Sequence, residues 1–262
     1  MKLSLDGRTA LVGGATNGIG WAIASALAQA GARVILVARS AERLAQRLSE
    51  LNKMTSEVHD AIMANYDNPN SVTTIAEHLD AKGLDPDIII NNSGGPAPAP
   101  LDQATRDDFH RALDRLILTT HELLGVLLPE MKKRRWGRIV NVISTSVRQP
   151  IDGLGVSNTI RAATAGWAKT LSNELAPYGI TVNSILPGAT RTERLEEIIV
   201  RRAVAEGVDP DVIRRRMLTE IPIGRFAEPW EIAALTVFLC SDTASYITGE
   251  CIRIDGGRSR CL

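Results

Sequence analysis

Cysteine is scarce in this chain of 262 residues: three occur, at 240, 251 and 261, none in a CxxC spacing. Neither a disulfide framework nor a cysteine zinc site can be built from them, so no metal is expected. Charge of one sign is missing too. Lysine plus arginine and aspartate plus glutamate number 30 each, for a net formal charge of zero. With no basic field to recruit a polyanion, nucleic acid is not expected as a partner, nor is an anionic membrane surface. No apolar run approaches the ~18 residues of a membrane span. The opening residues, MKLSLDGRTALVGG, run straight into a strand pattern and leave no room for a signal peptide. A cytoplasmic protein is expected.

What the chain does have is alternation. Short β-branched runs recur at Thr9–Gly13, Arg33–Ala38, Ser56–Met63, Asp87–Asn91, Arg138–Ile143, Thr181–Leu186 and Cys251–Ile254. Most are continuously apolar (RVILVA, DIIIN, RIVNVI), as strands covered on both faces are. Amphipathic helical patterns fill the gaps at Ile19–Ala30, Ala41–Leu51, Asn70–Ala81, Thr105–Arg134, Val156–Ala176 and Pro229–Leu239. Thr105 ahead of Asp107 and Asp108 reads as an N-cap with acids in the first turn. The alternation predicts an α/β fold: one doubly wound parallel sheet of about seven strands with helices on both faces. No repeat or linker divides it, so residues 1–262 read as one domain. Residues 191–225 break the rhythm with two short helical patterns around Val208-Asp209-Pro210. They follow the carboxyl end of a strand, where open α/β sheets bind ligands, and are expected to form a lid; the plainer alternative is a surface hairpin that only packs.

After the first strand comes Gly13-Gly14-Ala15-Thr16-Asn17-Gly18-Ile19-Gly20, then a helix. Glycines let the backbone turn sharply and bring amides close to a pyrophosphate, and the helix start adds free N–H groups and partial positive charge. The spacing is GxxxGxG instead of the commoner GxGxxG; the strand before and the helix after give it weight. Gly14, Thr16, Asn17, Gly18, Ile19 and Gly20 are the candidate phosphate-binding residues. At the end of the second strand, where NAD-preferring proteins place an acid, stand Ala38, Arg39 and Ser40. An arginine there suits a ribose 2′-phosphate, which points to NADP(H) as cofactor.

With these pieces the chain resembles the short-chain dehydrogenase/reductase family, over nearly its whole length. The strings that carry the resemblance are VGGATNGIG, NNSG, GRIVNVIS, LAPYGITVNSILPG, GRFAEPWEIAALTVFLCSD and YITGECIRIDGG; the last two look most like the 3-oxoacyl-(acyl-carrier-protein) reductase branch. The resemblance implies a Rossmann-type fold and hydride transfer between a nicotinamide and a carbonyl or alcohol substrate. It implies a homodimer or homotetramer formed through helices 105–134 and 156–176. It adds Asn65, Tyr66, Asn92, Ser93 and Gly94 to the cofactor-binding set, together with Pro187, Gly188, Ala189 and Thr192 of a PGxxxT-type string.

The family's proton machinery is a serine, a tyrosine, a lysine four residues later and a helix asparagine. Counting from the flanking motifs, these fall on Ser144, Ser157, Arg161 and Leu116, so only the serine is retained. A serine hydroxyl is shorter and far less acidic than a phenol, so Ser157 cannot take the tyrosine's place directly. Arg161 keeps the positive charge and could grip a ribose diol with two donors. Leu116 cannot hold a relay water with its side chain. Ser144, Ser157 and Arg161 are the catalytic candidates, with Thr145 and Ser146 expected beside them. Asp152, in the Gln149–Gly155 loop, is a weaker proton donor candidate, its plainer reading being a turn-forming Asp-Gly. His121 is expected to point off the site's helix face, His59, His78 and His110 to lie at the surface, and Tyr178 to be remote. Lys132-Lys133-Arg134-Arg135 reads as a solvated helix end. The insert's eight arginines and seven acids suit a salt-bridged lid, or an anionic substrate. The favoured reading is an NADP(H)-dependent oxidoreductase with an altered proton donor; the alternative is a non-catalytic NADP(H)-binding sensor or scaffold.

Overall fold

A computed structural model of the chain describes residues 3–261. Seven strands, β1 (Thr9–Gly13), β2 (Arg33–Ala38), β3 (Asp60–Met63), β4 (Ile88–Asn91), β5 (Gly137–Val142), β6 (Ile180–Pro187) and β7 (Cys251–Ile254), form one sheet. Their order is β3-β2-β1-β4-β5-β6-β7 and every pairing is parallel. The chain winds outward from β1 to β3, then crosses back to place β4 on the other side of β1. Connections leave β1 and β4 in opposite directions, and a crevice opens between their carboxyl ends.

Helices cover both faces, which is why most of the strands are largely apolar. On one face α1 (Gly18–Gln29), α2 (Ala41–Met54) and α9 (Pro229–Cys240) bury Ile23, Leu27, Leu51, Ile232 and Leu239 against Val12, Val34, Leu36 and Ile90. On the other, α3 (Ser71–Lys82), α5 (Thr119–Arg134) and α6 (Gly155–Leu175) bury Ile75, Leu123, Met131 and Leu175 against Leu11, Ile35, Ile89 and Val182. Among the described residues no helix is long and apolar enough to cross a membrane.

Two expectations need correction. The strand expected from Ser56 starts only at Asp60. Its missing half is replaced by His59, which is 5% exposed and not a surface residue. Nδ1 of His59 accepts the Val34 N–H at 3.1 Å, while Nε2 lies 2.7 Å from Thr55 Oγ1. The side chain thus satisfies a β2 donor just before the β3 ladder begins.

The helix expected over Thr105–Arg134 is interrupted. Thr105 caps α4 (Arg106–Leu113) in a reciprocal capping box with Asp108, as its sequence position suggested. A π-helical turn then spans Asp114–Leu118 before α5 begins. The wider turn lets outside donors reach its backbone: Leu116 O accepts from Asn91 Nδ2 at 3.4 Å and Arg115 O from Ser93 Oγ at 3.5 Å. The Leu116 side chain packs away from those bonds, in a cluster with Ala112, Ile117, Val156 and Ile160.

The 191–225 insert contains α7 (Glu193–Glu206) and α8 (Pro210–Thr219), which share a small core of Leu195, Ile199, Ala203, Ile213 and Met217. Arg214 bonds Glu196 and Asp211, and Arg216 bonds Glu206, so part of the insert's charge is used internally.

Candidate functional site

A cavity of about 1030 Å³ lies at the carboxyl ends of the strands, at the crevice where the winding reverses. That exceeds the ~300–1,000 Å³ typical of pockets for drug-sized ligands and leaves room for a dinucleotide beside a small substrate. Its floor begins at the glycine-rich turn. Gly14 and Gly18 have φ of 58° and 52°, which a side chain would strain. A Cβ on Gly20 would lie 2.1 Å from Gly14 O, and one on Gly14 would lie 2.7 Å from Asn92 Nδ2. The turn therefore closes on the first helix only without side chains. Asn92 Nδ2 donates to Gly13 O at 3.0 Å and ties the end of β4 to the turn. Asn17 caps α1, its Oδ1 accepting from Gly18 N at 2.7 Å, and the first-turn amides of α1 face the cavity. These donors and the absence of Cβ atoms fit the pyrophosphate of a dinucleotide.

At the β2 end, Arg39 is exposed and has no acceptor or acid among the described residues. Ser40 caps α2 through Arg43 N, and Arg43 also lines the cavity, 3.9 Å from Glu193 on α7. Asn65 and Tyr66 form the next wall. The Tyr66 hydroxyl sits against Gly13, where a Cβ would lie 2.9 Å from it. Burial pushes this phenol above its ordinary value, which makes it a poor proton donor.

The opposite wall carries the three catalytic candidates. Buried amides of Asn91 and Asn141 bond each other at 2.9 Å across β4 and β5 and anchor the strand ends that present this wall. Ser144 follows β5 and its Oγ accepts from Ser146 N at 3.1 Å. Ser157 and Arg161 project from the first turns of α6, one turn apart. Arg161 Nε donates to Ser157 Oγ at 3.2 Å, and Nη1 donates to Val142 O at 3.1 Å and Ile143 O at 2.9 Å. Nη2 has no acceptor among the described residues and faces Gly95, whose Cβ, if present, would lie 3.0 Å from it. No acid among the described residues pairs with this guanidinium. Burial, and then the neighbouring Arg194 cation, push it down to about 10, so it remains charged at neutral pH.

All eighteen cofactor-binding candidates and Ser144 and Ser157 line this one cavity. Thr145 lines it as well, but Ser146 does not: its hydroxyl is buried without a partner. Asp152 is exposed and off the cavity wall. Leu116 does not face it either, because its side chain is taken up by the α4–α6 cluster. His121 and His110 are exposed, and His78 bonds Asp60 at 3.2 Å. Tyr178 lies under Lys132, and Arg134 pairs with Asp87, so the basic helix end is more engaged than a solvated one.

Sequence reasoning missed residues that arrive from elsewhere in the fold. Arg194 Nη2 donates to Pro96 O at 2.9 Å, bringing α7 over the cavity beside Arg161. Arg202 lines the same cavity and has no acid partner among the described residues. Arg115, from the π turn, bonds Asp67 and Gly94 O. Only an arginine-rich insert was visible beforehand.

Comparisons with known proteins agree with this geometry. The family described as Enoyl-(Acyl carrier protein) reductase matches residues 14–259. The chain is 34% identical over 258 residues to the 3-oxoacyl-(acyl-carrier-protein) reductase FabG of Aquifex aeolicus, covering 98% of this chain and 99% of that one. Among solved structures it is similar to L-sorbose reductase from Gluconobacter frateurii complexed with NADPH and L-sorbose, with a TM-score of 0.94, 29% identity and both chains covered completely. It is also similar to a 3-oxoacyl (acyl-carrier-protein) reductase from Agrobacterium tumefaciens C58 with NADP bound, with a TM-score of 0.87, 28% identity and 97% and 95% of the two chains covered.

Proposed function

The chain belongs to the short-chain dehydrogenase/reductase family and is an NADP(H)-dependent oxidoreductase, and we propose that Ser144, Ser157 and Arg161 carry its chemistry on a 3-oxoacyl-like carbonyl or the corresponding alcohol. When bound, NADPH supplies the hydride that reduces the carbonyl carbon. The chain's own residues do the rest. The backbone amides of the Gly14–Gly20 turn hold the pyrophosphate, and Arg39, with Arg43 behind it, receives the 2′-phosphate.

One observation carries the reading: the Arg161 guanidinium grips the Ser157 hydroxyl at 3.2 Å, with no acid among the described residues to neutralise it. Because Ser157 Oγ accepts from Nε, its own hydrogen is free to point at a substrate oxygen. Ser144 Oγ, which accepts from Ser146 N, is in the same position. Negative charge that builds on that oxygen meets two hydroxyl donors and a partly buried cation, an arrangement that stabilises an oxyanion without surrendering a proton. Serine is too weak an acid to be the final donor, so the proton comes from solvent through the cavity mouth. This departs from the acid–base role of a tyrosine.

Supporting the lid are Glu193, Arg194, Leu195, Glu197 and Met217, which line the cavity from the helical insert. In this reading residues 191–225 close over the substrate within a single domain. The same reading includes a homodimer or homotetramer through helices 105–134 and 156–176, which would cover the exposed Leu118 and Val126. Removing the cation tests the chemistry: Arg161→Met should lower kcat for carbonyl reduction by about 10²–10³-fold, the range for losing one oxyanion-stabilising group. An unchanged kcat would sink the assignment.

A further inference from the structure

Arg161 and Arg194 reach the same short stretch of chain. Arg161 Nη2 lies 3.0 Å from the position a Gly95 Cβ would take, and Arg194 Nη2 is 2.9 Å from the carbonyl oxygen of the next residue, Pro96. Two guanidinium groups therefore flank one edge of the cavity within a residue of each other. Arg202 lines the same cavity, and like Arg161 it has no acid partner among the described residues.

The acids nearby do not cancel this charge. Glu197 pairs with Arg194 at 3.2 Å, but both side chains are roughly half exposed and such pairs hold loosely in water. Glu193 is turned to Arg43, at 3.9 Å. Arg161 is left with a partly desolvated charge, three N–H groups spent on neutral oxygens, and Nη2 beside Gly95 on the cavity wall with no acceptor among the described residues. A desolvated cation without a counterion is costly unless an anion completes it.

We propose that the substrate supplies that anion: a small oxo acid whose free carboxylate is received by Arg161 Nη2 and Arg194. This rests on the reading of the cavity as the oxidoreductase site and narrows its substrate class. Ser157 Oγ is 3.2 Å from Arg161 Nε, so a carbonyl bonded to Ser157 lies close to the carboxylate bonded to Nη2. That spacing suits a carbonyl separated from the carboxylate by one carbon or none, a 3-oxo or 2-oxo acid. A pantetheine thioester has no charge to offer at this place. The cofactor's phosphates are engaged elsewhere, at the glycine turn and at Arg39.

Two measurements test this together. The first compares NADPH oxidation with acetoacetate and with methyl acetoacetate, which share a carbonyl and differ in charge. The acid should be preferred in kcat/KM by about tenfold or more, the scale of one lost charge-assisted bond. The second titrates malonate calorimetrically into the protein saturated with NADP⁺. Malonate should bind, and Arg194→Gln and Arg161→Met should each weaken it by about tenfold or more, judged beside each variant's own NADP⁺ affinity. Equal use of the ester, no malonate binding, or binding indifferent to both substitutions would overturn the proposal while leaving the oxidoreductase reading intact. If acetoacetate is not turned over but malonate binds and responds to both arginines, the proposal stands. Failure to bind NADPH at all would instead bring down the functional reading on which it rests.

Discussion

Ser157 and Arg161 stand one turn apart on α6 and are joined by a 3.2 Å hydrogen bond in which the arginine donates. The bond fixes the roles of both groups. The serine is left with a hydrogen to give, and the arginine with only Nη2 to offer a ligand, since Nε and Nη1 are already spent. An arginine that gripped a ribose through two separate nitrogens would have to release part of this network.

Cofactor choice is expected to follow Arg39. It has no partner among the described residues, no acid occupies residues 38–40 at the end of β2, and Glu193, which approaches from α7, is paired with Arg43 at 3.9 Å. NADPH should bind more tightly than NADH, and Arg39→Asp should invert the preference, each by about 1.5–3 kcal/mol for a charge-assisted bond gained or lost. Fluorescence titration of both cofactors checks this. Equal affinities in the native protein would contradict it.

Leu116 offers a contrast between resemblance and structure. The resemblance implies an asparagine at this position, yet this side chain is 5% exposed and packed among Ala112, Ile117, Val156 and Ile160. Leu116→Asn should therefore cost stability, about 2–4 kcal/mol for lost apolar packing and a buried amide, and should not raise the rate of carbonyl reduction. Denaturant midpoints and kcat measured on the same variant separate the two effects. A faster enzyme would mean that the side chain does reach the cavity.

His59 makes stability pH-dependent. Burial lowers its pKa below the ordinary 6.5, outweighing the opposing pull of Glu57, while Arg33 lowers it further. Its Nδ1 must stay unprotonated to accept the Val34 N–H. The unfolded chain thus takes up the proton first, and this contribution is fully present above about pH 6.5 and lost as pH falls toward the folded value. Urea midpoints between pH 7.5 and pH 5 should fall, at no more than about 1.4 kcal/mol per pH unit from this group. In His59→Gln that part of the slope should vanish. An identical slope in the variant would refute the assignment.

The pattern of residues revealed much of this, for physical reasons that also mark where it stopped. Continuous apolar runs located the inner strands, because strands covered on both faces leave no polar alternation to misread, whereas the edge strand expected from Ser56 starts only at Asp60. The glycine spacing and the motif strings located a wall that proves to be one cavity. The π turn at Asp114–Leu118 was invisible, since one extra residue in a turn hardly disturbs an amphipathic period. His59 looked like a surface residue because its partner, Val34, lies on the neighbouring strand. Arg194 could not be assigned for the same kind of reason: only the folded insert brings it to Pro96, far back in the chain. Ser146 was misread because its neighbours Ser144 and Thr145 do line the cavity, while its own hydroxyl is buried.

Swapping the pair back to the family's pattern probes how far the rest of the site depends on it. Ser157→Tyr with Arg161→Lys restores a phenol and an ammonium on the same helix turn. General acid catalysis contributes about 10²–10⁴-fold, so an unsuited native donor leaves room for the double variant to gain on simple neutral ketones. It should lose ground on oxo acids, because a lysine gives up the guanidinium fork. Rates for a ketone and an oxo acid, each relative to the native protein, check both directions. A double variant that binds NADPH but gains nothing on the ketone would contradict the account of the donor.

The most direct test of the central claim, that the Arg161–Ser157 pair works on the substrate oxygen, is a single-turnover measurement on Arg161→Lys with NADPH prebound. Lysine retains the charge but offers one nitrogen in place of the two that bond Ser157 Oγ and the Val142 and Ile143 carbonyls. The account predicts that hydride transfer, followed by loss of NADPH absorbance, slows by about tenfold or more while the NADPH dissociation constant changes only about threefold or less. A normal transfer rate with weakened NADPH binding would contradict it, and would mean that Arg161 serves the cofactor alone.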